Sequence, residues 1–86
     1  MKPSMRTLTE SEALAWVANV FSVPVGSVTR DTPRSDIVLW DSLGVLMVMA
    51  SLDEDFGITA TDAEMRACQK VGDLLALLQK HGRLAA

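Results

Sequence analysis

Apolar residues recur at three- and four-residue spacings in three separate stretches of this 86-residue chain, and that period limits what it can fold into more than any other feature. Ala13, Leu14, Val17, Val20 and Phe21 make the first stripe, with Glu12, Ala15 and Asn19 on the opposite side. Thr9 followed by Glu12 reads as a capping box, and Leu8 is placed to staple onto Ala13. The pattern predicts a helix from near Glu10 to near Ser22, with Trp16 at the margin of its core face.

Asp41 and Ser42 open the second periodic segment, which runs through Phe56 and stops at Gly57. At about 100° per residue, Leu43, Val45, Leu46, Met49, Ala50, Leu52 and Phe56 share one face, and Gly44, Met47, Val48, Ser51, Glu54 and Asp55 the other. The run from Val45 to Met49 is compatible in isolation with a buried strand. Segment length, Leu, Met and Ala content and sorted polar residues favour helix. Thr61 and Glu64 repeat the capping box ahead of a short helix near Asp62 to Ala67. A last helix is expected from about Val71 to Lys80, with Val71, Leu74, Leu75 and Leu78 inward and Gly82 as its C-terminal cap.

Pro24, Gly26 and Pro33 punctuate the stretch from Ser22 to Trp40, across which no period survives. A loop this long needs anchors, and Val28, Ile37, Val38, Leu39 and Trp40 are available to tether it across the bundle. The expected fold class is all-α, with three main helices, one short helix and a long loop between the first two main helices. Leu14, Val17, Leu46, Met49, Phe56, Leu74 and Leu78 are its expected shared core.

The length suits one domain with one hydrophobic core and little room for a buried catalytic cleft. Cys68 is the only cysteine, so an intramolecular disulfide and a multi-cysteine zinc site are excluded. A small buried hydrophobe is its expected role. No apolar signal-like segment follows Lys2 and Arg6, and the longest apolar run, Leu43 to Ala50, falls short of the roughly 20 residues of a membrane span. A cytoplasmic protein without membrane contact is expected. Residues 41–64 hold six acids and no base, whereas residues 65–86 hold one acid and four bases. The acidic middle disfavours nucleic acid, whose phosphates need Lys and Arg, and favours basic protein partners.

Chemistry concentrates at Leu39-Trp40-Asp41-Ser42-Leu43-Gly44, for which three readings compete. Ser42 or Asp41 serves simply as a helix cap. Alternatively, Ser42 is an esterase nucleophile with His81 as base and Asp41 or Asp73 as its partner. Trp40 occupies a position where a nucleophile elbow needs glycine, no parallel-sheet pattern carries such a turn, and His81 beside Gly82 reads as a solvated helix end. In the third reading Ser42 is modified, because a solvent-facing hydroxyl at a helix N-terminus is open to a transferase and a phosphodiester there faces unpaired N–H groups.

Asp41-Ser42-Leu43 at a helix head, preceded by a long loop and followed by Asp53-Glu54-Asp55-Phe56-Gly57-Ile58, resembles the acyl carrier protein family. The similarity extends from about Leu8 to Leu78, including the closing Val71-Gly72-Asp73-Leu74. It implies a small right-handed bundle, with residues 1–86 as one carrier domain, a helical core of about 9–81 and flexible termini. It also implies that Ser42 holds a 4′-phosphopantetheine taken from coenzyme A, whose terminal thiol carries acyl groups as thioesters. The implied partners are a phosphopantetheinyl transferase, an acyl-loading ligase or transferase, and a ketosynthase or other acyl-processing enzymes, acting on a monomeric carrier that is not itself an enzyme. The implied setting is fatty-acid, polyketide or related specialised biosynthesis.

Some residues depart from the family pattern. Gly44, Met47, Val48 and Ser51 interrupt a face that fatty-acid carriers fill with acids, and Lys70 stands where many relatives place a Ser or Thr cap. A peptidyl carrier is a close variant, though Trp40-Asp41 replaces its usual glycine-rich stretch. A helical interaction module without the arm is the alternative from another class. The expected recognition surface surrounds Ser42 and comprises Asp41, Leu43, Gly44, Met47, Val48, Ser51, Glu54 and Asp55, with Met47 as its apolar anchor and the acids steering encounter.

Overall fold

The computed structural model describes residues 7–84, and the expected flexibility of the extreme termini, 1–6 and 85–86, lies outside them. Four α-helices follow in order: α1 Glu10–Val20, α2 Ser42–Phe56, α3 Asp62–Ala67 and α4 Val71–Lys80. A 3₁₀ turn, Arg34–Asp36, interrupts the long loop, and no strand is present among the described residues. The all-helical expectation and its helix order are met.

The helix starts follow the sequence signals. Thr9 and Glu12 form a reciprocal capping box on α1, and Thr61 and Glu64 form another on α3. Leu8 and Ala13 are both buried, as a staple requires. At the other end of α1 the Val23 N–H reaches the Ala18 carbonyl at 2.9 Å, around Ser22 in the left-handed region at φ 56°. Gly57 and Gly82 take the same conformation after α2 and α4.

Lys70 supplies no cap at α4, and the long loop compensates. The Thr32 and Arg30 carbonyls accept the Val71 and Gly72 N–H groups at 2.9 and 2.7 Å, satisfying donors that a helix start leaves unpaired. The Asp73 carboxylate accepts from the Gln69 and Lys70 amides at 2.8 and 3.3 Å. The loop is thus tethered, as expected, but by backbone as much as by side chains. Val28, Ile37 and Trp40 are buried anchors, whereas Val38 and Leu39 point to solvent. The segments flanking α1 and α4 also meet, with the Leu8 N–H donating to the Arg83 carbonyl at 2.8 Å.

Phe21, Phe56, Leu52, Leu75, Leu78, Val17, Val48 and Val71 are the largest fully buried side chains. The expected stripes of α1 and α4 pack inward, with Leu14 and Val20 half-buried. The phase of α2 differs from expectation. Gly44, Val48, Leu52 and Phe56 form its buried line, Met47, Met49 and Ser51 are half-buried, and Leu43 and Leu46 are exposed. Leu46 is therefore not a core residue, and Gly44 and Val48 are not outward-facing. Apolar residues surround the first eleven positions of α2, so period alone does not select the face. Close backbone packing selects it, because a side chain on Gly44 would collide with the Leu39 carbonyl.

Candidate functional site

Of the two residues at the head of α2, Asp41 takes the capping role and Ser42 does not. Asp41 is the N-cap of α2, and its Oδ1 accepts the Gly44 N–H at 3.0 Å. Ser42 is the first helical residue, exposed, with a side chain that makes no hydrogen bond among the described residues. Its hydroxyl is neither a cap nor part of a network, and it stands at the positive end of a 15-residue helix.

The residues leading into Ser42 are anchored on the core. Trp40 is buried and stacks on Phe21 with ring centroids 5.2 Å apart, while the Arg34 guanidinium lies 5.6 Å from the Trp40 ring centre. Arg34 Nε also donates to the Trp40 carbonyl at 3.3 Å. Ser42 borders a groove of about 370 Å³, walled by Val45, Leu46 and Met65 and edged by Arg34, Asp62 and Arg66. The short helix α3 thereby faces the first turns of α2 across an apolar trough with both charge signs on its rim.

The esterase constellation is not assembled. His81 caps α4, and its Nε2 lies 3.8 Å from Glu64 Oε2, away from the Ser42 groove. That nitrogen is buried and lacks a hydrogen-bond partner among the described residues, rather than solvated as the sequence suggested. The Asp73 carboxylate is occupied by the Gln69 and Lys70 amides. Among the described residues, no group of three or more His, Cys, Asp or Glu side chains is placed to hold a metal ion. None of the described helices is long and apolar enough to cross a membrane.

Cys68 is buried and its Sγ donates to the Glu64 carbonyl at 3.3 Å. Burial, with smaller contributions from Asp73 and Glu64, pushes its thiol up to about 11, so it stays a protonated packing residue at neutral pH. Glu64 is held below the ordinary carboxylate range by the Thr61 backbone N–H and by Lys80, 3.1 Å away.

The residues expected to form a recognition surface separate into three groups. Asp41, Leu43, Glu54 and Asp55 are exposed, Met47 and Ser51 are half-buried, and Gly44 and Val48 are buried. Asp55 also accepts the Trp16 indole N–H at 2.8 Å, fixing that margin of the core. Sequence reasoning missed Val38, Leu39 and Leu46 as surface residues and Arg34 and Arg66 as neighbours of Ser42. The available signal was the position of Val38-Leu39 inside a punctuated loop, where exposure is the rule.

No protein-family profile matches the chain. Curated proteins similar to it include the acyl carrier protein MbtL of Mycolicibacterium paratuberculosis, 33% identical over 73 residues that span 85% of this chain and 82% of that protein. Another, the acyl carrier protein MbtL of Mycobacterium sp. (strain MCS), is 31% identical over 58 residues, 67% of this chain and 65% of the relative.

Proposed function

The chain belongs to the acyl carrier protein family, and we propose that it carries acyl intermediates on a 4′-phosphopantetheine arm joined to Ser42. The observation that carries this reading is the free Ser42 hydroxyl at the head of α2 beside a cap supplied by Asp41. Ser42 fits the group: its hydroxyl is exposed to an approaching transferase and needs to break no hydrogen bond before it reacts. The Oγ forms the new bond to phosphorus, the nucleotide half of coenzyme A leaves, and the transferase takes the hydroxyl proton. Once bound, the group supplies a terminal thiol that holds acyl units as thioesters.

The chain's own part is to fix that attachment point. Asp41 holds the first turn of α2, Trp40 and Arg34 fix the preceding loop, and the apolar walls of the adjacent groove offer shelter from water. Residues 1–86 act as one carrier domain in the cytoplasm, monomeric and without catalysis of their own. Its partners are a phosphopantetheinyl transferase, a loading ligase or transferase, and a ketosynthase or other acyl-processing enzyme of fatty-acid, polyketide or related specialised biosynthesis.

Intact mass tests the reading. Wild type and Ser42→Ala are treated with coenzyme A and a promiscuous phosphopantetheinyl transferase. A phosphopantetheine-sized gain on wild type alone is expected. The same gain on the alanine variant, or no gain on folded wild type, overturns the assignment.

A further inference from the structure

Residues 41–64 hold six acids and no base, yet two arginines from outside that segment reach the groove that Ser42 borders. Arg34 comes from the 3₁₀ turn of the long loop and Arg66 from α3. Neither meets a carboxylate within ion-pair distance among the described residues, whereas Arg30 and Lys80 hold Glu10 and Glu64 at 3.1 Å. Asp62 borders the same groove and still pairs with neither arginine.

Arg34 is fixed in place by the loop itself. Its Nε donates to the Trp40 carbonyl at 3.3 Å, and its guanidinium lies 5.6 Å from the centre of the Trp40 ring. Both of its terminal amino groups are left without an acceptor among the described residues. Arg66 is exposed, and its side chain makes no hydrogen bond among those residues. At the head of α2 the Ser42 and Leu43 N–H groups also lack acceptors, while Asp41 Oδ1 is taken by the Gly44 N–H. Unpaired donors on the loop, on α3 and at the start of α2 thus gather around one groove.

We propose that Arg34 and Arg66 form a clamp for the phosphodiester on Ser42, holding its two non-bridging oxygens and fixing the first bonds of the arm against the loop and α3. The inference rests on the carrier reading and goes beyond it, because attachment to a serine does not by itself require a cation nearby. A diester carries a full negative charge at neutral pH, shared by two oxygens, and a planar guanidinium fork matches that geometry with charge-assisted hydrogen bonds. The groove of about 370 Å³ lies near the lower bound of small-molecule pockets, so an anion on Ser42 shares a confined space with both arginines. Since the two stand on different elements, the diester ties the loop to α3, as a phosphate set opposite an arginine pair does elsewhere.

The test compares the apo and arm-bearing forms of wild type, Arg34→Gln, Arg66→Gln and Lys80→Gln, with complete modification confirmed by intact mass. Thermal midpoints are measured at about 20 mM and about 500 mM salt. The side-chain Nε–H resonances of both arginines are followed by NMR. At low salt the arm is expected to raise the wild-type midpoint by about 2–4 °C, with at least about half of that gain lost in each arginine variant and none in Lys80→Gln. High salt should shrink the wild-type gain, and the Arg34 and Arg66 resonances should move between the apo and arm-bearing forms. Equal gains in wild type and folded arginine variants, or arginine resonances that stay in place, overturn the clamp while leaving the carrier reading intact. Wild type that takes no arm overturns the carrier reading itself. Saturation of the same resonances in the apoprotein by about 1 mM inorganic phosphate assigns the pair to a free anion, and also overturns the proposal. Should Arg34→Gln fail to fold for want of its bond to Trp40, the exposed Arg66→Gln decides the outcome.

Discussion

The carbonyl oxygen of Leu39 occupies the space into which a side chain on Gly44 would project. This contact lets the loop backbone pass beneath the first turn of α2, with the Phe21 ring 3.4 Å from the same point. It couples two links of the fold: a residue without Cβ selects the buried face of α2, and that face leaves Ser42 outward. Gly44→Ala is therefore expected to destabilise the protein by at least about 1–3 kcal/mol, since backbone has to move to admit the methyl group. Urea unfolding measures this, and a cost under about 0.5 kcal/mol would show that the loop does not pack there.

The phase of α2 is open to a paired measurement. Val48 is 1% exposed and Leu46 61% exposed. Val48→Ala should cost about 1.5–3 kcal/mol from lost burial, and Leu46→Ala less than about 0.5 kcal/mol, as expected of a surface site. The reverse order would restore the face suggested by period alone.

These two residues also show where sequence reading ends. The starts of α1 and α3 were legible because Thr9-Glu12 and Thr61-Glu64 satisfy backbone donors locally, and local chemistry is written in adjacent residues. The inward residues of α4 were legible because its apolar and polar sides contrast. In α2 they do not, and the choice fell to Gly44 against Leu39, partners from different elements. Val38 and Leu39 read as anchors because hydrophobicity does not reveal which residues of a turn have buried ends on either side. The place of Ser42 at a helix head was legible from Asp41-Ser42-Leu43, whereas Arg34, Asp62 and Arg66 reach its groove only through tertiary packing.

Glu64 links α3 to the end of α4, and acid should weaken that link. Its carboxylate accepts the Thr61 N–H at 2.9 Å and approaches Lys80 Nζ at 3.1 Å. The Thr61 hydrogen bond first, then Lys80, hold its folded pKa below the ordinary 4.5. The folded state thus binds this proton less readily than the unfolded chain. Its contribution is fully present above 4.5 and is lost as pH falls through the lower folded value. Glu64→Gln should lower the thermal midpoint near neutral pH, with the gap to wild type closing as both are acidified. A gap that stays constant down to about pH 3 would show that the charge contributes nothing.

Asp41 and Ser42 should separate stability from function. Asp41 Oδ1 satisfies the Gly44 N–H, whereas the Ser42 side chain satisfies no backbone group among the described residues. Asp41→Ala is expected to cost about 0.5–2 kcal/mol as a lost N-cap, and Asp41→Asn to recover most of that because its side-chain oxygen still accepts. Ser42→Ala at the first helical position should stay within about 0.5 kcal/mol of wild type, since alanine suits a helix and no cap is lost. The same proteins treated with coenzyme A and transferase should give the opposite ranking: Asp41→Asn gains the arm and Ser42→Ala does not. Denaturant unfolding and intact mass on one set of samples check both halves. If Ser42→Ala proves as destabilised as Asp41→Ala, the serine shares the capping role and its hydroxyl is not free for transfer.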